Sequence, residues 1–146
     1  MNSRRPLLLV VLLMPVAACA QPAGGAALVR DAWVRLNPPG TTATAAYMTI
    51  RNPGGRTLRI VQAECPAARA AEFHEHRNDG GVLRMRAVPA LSVEGRGETV
   101  LRPGGLHLML IDLKARLRAG DRVPLILRFE DGTSVMVRAL VKKQIP

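Results

Sequence analysis

The chain has 146 residues, 48 % of them hydrophobic, which suits one compact domain and leaves no room for a second core. Its formal net charge is +10, and a basic surface favours anionic lipids or an acidic partner. The arginines do not cluster, and no basic patch is interleaved with aromatic residues. We therefore expect no nucleic-acid partner.

Residues 1–18 have the pattern of a secretory signal peptide of the lipoprotein type. Two arginines precede an apolar run over 7–14, which is too short to span a bilayer permanently. Segment 16–19 resembles the bacterial lipobox, in which Cys19 becomes the lipidated first residue of the mature protein. The alternative is ordinary cleavage after residue 20, which yields a protein without a lipid anchor.

Residues 19–28 are small and low in complexity, which predicts a flexible tether, and 29–146 then form the domain. In this domain, short β-type runs alternate with Gly, Pro, Asn and Asp. The pattern predicts an all-β sandwich or barrel, with 113–120 as a loop or short turn. The predicted strands are 28–36, 43–51, 57–63, 71–77, 82–88, 98–102, 107–113, 122–130 and 134–142.

The turn signal at 78–81 predicts a hairpin that joins two of these strands. If Asp79 and Gly80 are the two turn residues, His74 lies directly opposite Met85, with Cβ atoms roughly 5 Å apart. His76 shares the face of His74, because strand side chains alternate with period two.

A second pair of possible metal donors, one imidazole and one thioether, lies in the leucine-rich segment 106–110. Its three leucines form one face of a strand, and His107 and Met109 project from the other. If that face borders the hairpin, His74, Met85, His107 and Met109 converge. Imidazole and thioether donors without negative charge favour Cu(I), and binding should weaken as the histidines become protonated, below about pH 6.5.

Each of these residues also has an ordinary structural interpretation. Met85 fills a core gap in that case, and the histidines are surface or hydrogen-bonded strand residues. Met48 and Met136 fit strand-core roles and receive no ligand assignment.

The spacing of His74, Met85, His107 and Met109 resembles the signature of the periplasmic copper chaperone family of the PCu(A)C type. The flanking sequence segments that share the resemblance are residues 31–35, 45–50, 80–85, 103–110 and 129–133. The whole match runs from about residue 29 to about residue 141. The resemblance implies a single-domain, cupredoxin-like Greek-key β-sandwich or barrel that binds Cu(I) through those four residues. It also implies delivery of copper to cytochrome c oxidase assembly, with subunit II or an assembly factor as acceptor in the envelope.

Three features depart from the family pattern. His76 stands where many relatives have a Met, and it is a candidate fifth ligand. The chain stops at Pro146 without the His- and Met-rich extension of some relatives, and Cys65 lies outside the motif as an expected buried hydrophobe.

We thus expect a monomeric, non-enzymatic, lipid-anchored periplasmic copper carrier. The alternative is an envelope lipoprotein that uses its β-sandwich to bind another protein and has no metal role. An enzyme ranks third, because no paired-carboxylate, Ser-His or Cys-His arrangement has supporting context.

Overall fold

The computed structural model describes residues 27–143, which form ten β-strands. The strands are β1 (Leu28–Arg35), β2 (Thr44–Arg51), β3 (Leu58–Glu64), β4 (Ala68–Asp79), β5 (Val82–Ala87), β6 (Leu91–Val93), β7 (Glu98–Leu101), β8 (His107–Leu113), β9 (Arg122–Phe129) and β10 (Ser134–Lys142). Within 27–143 no helix is long and apolar enough to cross a membrane. The all-β class predicted from the sequence is confirmed.

Seven of the strands close into a barrel in the order β4-β8-β2-β1-β10-β9-β3, with β3 returning to pair with β4. All pairs in the barrel are antiparallel except β1 with β10. β7 pairs with β2, β6 extends β3, and β5 extends β4. Each barrel strand has a neighbour on both sides, whereas β5 is an edge strand that pairs only with β4.

The barrel interior is aliphatic, as the scarcity of aromatic residues requires. Alternate residues of each strand point inward, so Leu108 and Leu110 of β8 and Leu125 and Leu127 of β9 are fully buried. Met48 is buried as predicted, but Met136 is 63 % exposed and the prediction that it fills the core is wrong. Met136 lies in the first half of β10, where residues alternate between exposed and half-buried.

All nine predicted strands are present, and β6 is the one that the sequence did not indicate. β6 has only three residues and lies in a stretch rich in Pro and Ala, so its period-two signal is too short to detect. The segment 113–120 contains no helix, as expected.

The predicted register of the β4–β5 hairpin is wrong. The two turn residues are Gly80 and Gly81, both with positive φ, at 65° and 90°. A two-residue hairpin turn of this kind needs positive φ at both positions, which glycine adopts without steric cost. Asp79 consequently pairs with Val82, and Met85 lies opposite His76 rather than His74.

Candidate metal centre

The inner part of the candidate site lies on β8, at the barrel wall. Leu108 and Leu110 point into the core, while His107 and Met109 project from the opposite face, as the alternation predicts. His107 is nonetheless only 4 % exposed, and Met109 is half-buried. These two side chains line a cavity of about 300 Å³.

β4 connects this wall to the hairpin. It pairs with β8 so that His74 lies opposite His107, and Glu72 lies opposite Met109. Beyond the end of β8, β4 continues as a two-stranded ribbon with β5, in which His76 lies opposite Met85. The pairing therefore places all four predicted ligands and His76 on one continuous face of β5, β4 and β8.

Not all of these residues reach the same cavity. His76, Met85, His107 and Met109 line it together, and His74 lies beside it. The ring centroid of His107 is 5.0 Å from that of His76 and 6.1 Å from that of His74. His107 is thus the central imidazole of the three.

Hydrogen bonds determine which nitrogen of His107 and of His74 is available to a metal. Nδ1 of His107 donates to the carbonyl oxygen of Gly105 at 2.9 Å, so its Nε2 carries the lone pair. Nε2 of His74 donates to the carboxylate of Glu72 at 3.1 Å. Its Nδ1 is buried and has no hydrogen-bond partner within the described residues. An outer partner on one ring nitrogen and a free lone pair on the other is the usual arrangement of a metal-binding histidine.

Burial also favours the neutral form of His107. It lowers the pKa of this imidazole below its usual value, against a smaller opposing effect of the Gly105 hydrogen bond. The charges of His76 and His74 lower the pKa further. A metal ion requires the neutral ring, so His107 is ready to bind without first losing a proton at neutral pH.

The thioethers belong to the donor set that a metal site in this cavity would use. Among residues 27–143, no three His, Cys, Asp or Glu side chains are grouped so that they could hold a metal ion. A metal in this cavity therefore needs Met85 and Met109 in addition to imidazole. That donor set is soft, which suits Cu(I) and disfavours Mg²⁺, Ca²⁺ and Zn²⁺.

Glu72, which holds the ring of a candidate ligand, is the candidate site residue that sequence reasoning missed. It precedes His74 by two positions, and in a strand this spacing puts both side chains on one face. The signal was therefore present in the sequence. Cys65 is buried in the core, and burial raises the pKa of its thiol, in keeping with the expected structural role. The predicted lipidation site, Cys19, lies outside the described residues, as does the signal peptide.

Comparison with known proteins identifies the family. Residues 28–141 match the family model LpqE-like, described as "Putative lipoprotein LpqE-like". The chain belongs to this family. The LpqE-like family is of the PCu(A)C type, so the resemblance inferred from the sequence is confirmed. A curated relative from Leifsonia xyli subsp. xyli, "Putative lipoprotein Lxx21020", is 36 % identical over 115 residues, which are 78 % of this chain and 68 % of the relative.

Two solved structures resemble this LpqE-like chain. The Cu(I)-bound DR1885 protein from Deinococcus radiodurans is 35 % identical with a TM-score of 0.66, covering 89 % of this chain and 85 % of its own. The copper-bound PCuAC domain from PmoF2 has a TM-score of 0.70 at 23 % identity, covering 84 % and 97 %. At that identity the PmoF2 domain supports the fold alone, which is the predicted cupredoxin-like β fold.

Proposed function

We propose that this protein is a periplasmic copper chaperone that binds Cu(I) and delivers it to the copper-centre assembly of cytochrome c oxidase. The proposed ligands are His74, Met85, His107 and Met109. The copper-bound neighbours and the membership of the LpqE-like family support copper handling. The ligand assignment and the acceptor are our inference.

The orientation of two imidazole rings is the observation that most supports the ligand assignment. His107 and His74 each use one ring nitrogen for a hydrogen bond to Gly105 or Glu72. The second nitrogen of each ring remains available, and that of His74 is buried without a partner. A buried polar atom without a hydrogen bond costs about 1–3 kcal/mol, which a bound metal would remove.

The contrast in exposure among the donors suits a carrier rather than a storage site. His107 is almost fully buried, whereas Met85 is 49 % exposed on the ribbon. A donor of an acceptor protein can therefore approach the ion from the side of Met85 and replace it while the other ligands stay bound. Copper then passes between proteins by ligand exchange, and the carrier performs no catalysis.

The acceptor that the family resemblance implies is subunit II of cytochrome c oxidase, or an assembly factor that serves it. We propose that residues 1–18 direct export, that Cys19 is lipidated, and that the tether, predicted as 19–28, ends before residue 27, since Ala27 is buried and Leu28 begins β1. The family description and the Leifsonia relative, both named as lipoproteins, support this anchor. We expect the carrier to act as a monomer.

Competition with a Cu(I) chelator tests the ligand assignment. Met109→Leu removes the thioether with little change in side-chain volume, so it should weaken Cu(I) binding strongly and leave the apo fold intact. Met136→Leu is the matched control, because Met136 is exposed on β10 and away from the cavity. Equal Cu(I) affinity in the two variants would contradict the assignment.

Thermal unfolding separates this function from that of a protein-binding lipoprotein without a metal. At free Cu(I) about a thousandfold above its Kd, a true site adds about 4 kcal/mol to the free energy of unfolding. An unchanged melting temperature would favour the alternative. Delivery requires a second assay, in which Cu(I)-loaded protein is mixed with the copper-free soluble domain of subunit II. Copper that remains on the carrier would contradict the proposed acceptor.

A further inference from the structure

Three histidines surround the candidate site, although a ligand set of two His and two Met uses only two of them. His107 is in ring contact with both of the others, with centroids 6.1 Å from His74 and 5.0 Å from His76. The corrected hairpin register places His76, not His74, opposite Met85. His76 thus has a position in the site that the four-residue spacing does not assign.

The two outer histidines differ in how firmly they are held. The side chain of His74 is 18 % exposed, and Glu72 fixes its ring through a hydrogen bond. His76 is exposed and forms no hydrogen bond with any residue in the described part of the chain. No hydrogen bond therefore fixes its ring, and it already lines the cavity with Met85, His107 and Met109.

Resting on the proposed Cu(I) function, we propose that His74 and His76 are alternative ligands for a single Cu(I) ion. His107, Met109 and Met85 belong to both donor sets. With His74 bound, the ion lies against the barrel wall; with His76 bound, it lies in the cavity beside Met85. Exchange of one imidazole for the other moves copper towards the exposed end of β4, where an acceptor can reach it.

This exchange needs no oxidant, reductant or proton. One neutral imidazole replaces another, so the charge, the oxidation state and the number of ligands of Cu(I) stay the same. His74 and His76 are two residues apart on one strand face, which is about 7 Å along the strand. Since the His107 ring is in contact with both of theirs, the ion needs to move only part of that distance, and it keeps the two β8 ligands throughout.

Cu(I) affinities of the native protein, His74→Ala, His76→Ala and the double variant test the proposal. If the imidazoles substitute for one another, each single variant should bind less than tenfold more weakly than the native protein. The double variant should bind more than a hundredfold more weakly. X-ray absorption should count two nitrogen and two sulfur neighbours in the native protein and both single variants, and one fewer nitrogen in the double variant.

Two controls keep the result interpretable. Arg84→Ala changes the opposite face of β5 next to Met85 and should leave the affinity unchanged. His74→Gln preserves more of the half-buried volume at that position, in case His74→Ala impairs folding, and it should give the same affinity as His74→Ala. The rate of Cu(I) extraction by a bulky chelator provides a second measurement. It should fall in His76→Ala, because the copper position at the exposed end of β4 is lost.

The outcomes separate the two proposals. If either single variant binds as weakly as the double variant, or if both lose a hundredfold, the histidines are not interchangeable and this inference is wrong. The chaperone function would still stand in that case. Failure of the native protein to bind Cu(I) would instead overturn the proposed function, and this inference with it.

Discussion

The two halves of the candidate copper site differ in how deeply they are built into the fold. His107 and Met109 lie on β8, which pairs with β2 on one side and β4 on the other. Met85 and His76 lie on the β4–β5 ribbon, where all six residues of β5 are exposed. The exposed fraction is 4 % for His107 and 49 % for Met85.

This difference suggests that one half of the site holds copper and the other half exchanges it. A buried strand within a closed barrel keeps its donors in place, because their movement would disturb a close-packed core. A two-stranded ribbon is marginally stable by itself and can bend without such a cost. Under the proposed chaperone function, we therefore assign retention of copper to β8 and release of copper to the ribbon.

His107→Ala should have the largest effect on copper binding. His107 is the central imidazole, and its loss should weaken Cu(I) affinity at least a hundredfold, or about 2.8 kcal/mol. Met85→Leu should weaken it about tenfold, because the ribbon supplies His76 and the wall donors remain. Chelator competition on both variants measures the difference. Equal losses would mean that β8 and the ribbon hold copper equally firmly.

Glu72→Gln should have an intermediate effect. The carboxylate that holds Nε2 of His74 becomes a neutral amide of similar size, so the ring is less well oriented and less basic. Because the Glu72 side chain is 52 % exposed and acts only through His74, we expect a loss in Cu(I) affinity of about twofold to threefold, smaller than that of His74→Ala. Glu75→Gln, on the opposite face of β4, is the control and should retain native affinity. A loss as large in Glu75→Gln would point to surface charge instead.

Gly81→Ala should affect the ribbon and spare the barrel. Gly81 has a φ of 90°, and a Cβ at this position would meet open space, so the cost is backbone strain of about 1 kcal/mol. Amide hydrogen exchange in β5 should speed up about fivefold, while the melting temperature of the barrel stays nearly constant. Gly55→Ala also meets open space but has no positive φ, and it should change neither. A large fall in melting temperature would mean that the ribbon unfolds together with the barrel.

The smallest expected effect is a change in the stability of the apo-protein with pH. Burial lowers the pKa of His107 in the folded protein, whereas the unfolded chain binds this proton near pH 6.5. The contribution of His107 is therefore fully present above about pH 6.5 and is lost as the pH falls through the lowered pKa. Urea unfolding at a series of pH values should show this decline in the native protein, and a smaller one in His107→Gln. Identical profiles would mean that burial at the wall does not affect this group.

Local sequence patterns predicted most of the fold. Alternation within 106–110 predicted that the leucines point inward and that His107 and Met109 share the outer face, since that follows from strand geometry alone. Glycine and asparagine at 78–81 predicted a hairpin. The short strand β6 has too few residues for a periodic signal.

The hairpin register shows where local pattern is insufficient. Segment 78–81 contains two overlapping candidates for a two-residue turn, Asp79-Gly80 and Gly80-Gly81. A shift of one turn residue changes the partner of Met85 from His74 to His76 while leaving both histidines on the same face. Periodicity cannot distinguish these registers, because both leave each side chain on the same face of the ribbon.

Residue chemistry and the period of a β-strand are local properties, so the amino-acid sequence was enough to predict the soft donors, their strands and the face that each one takes. The position of β4 between β5 and β8, the central place of His107 and the hydrogen bond from His74 to Glu72 became visible only in the folded chain. Strand neighbours and register depend on closing the barrel and on the turn that glycine permits. Both are interactions between residues distant in the chain or nearly equivalent in local pattern.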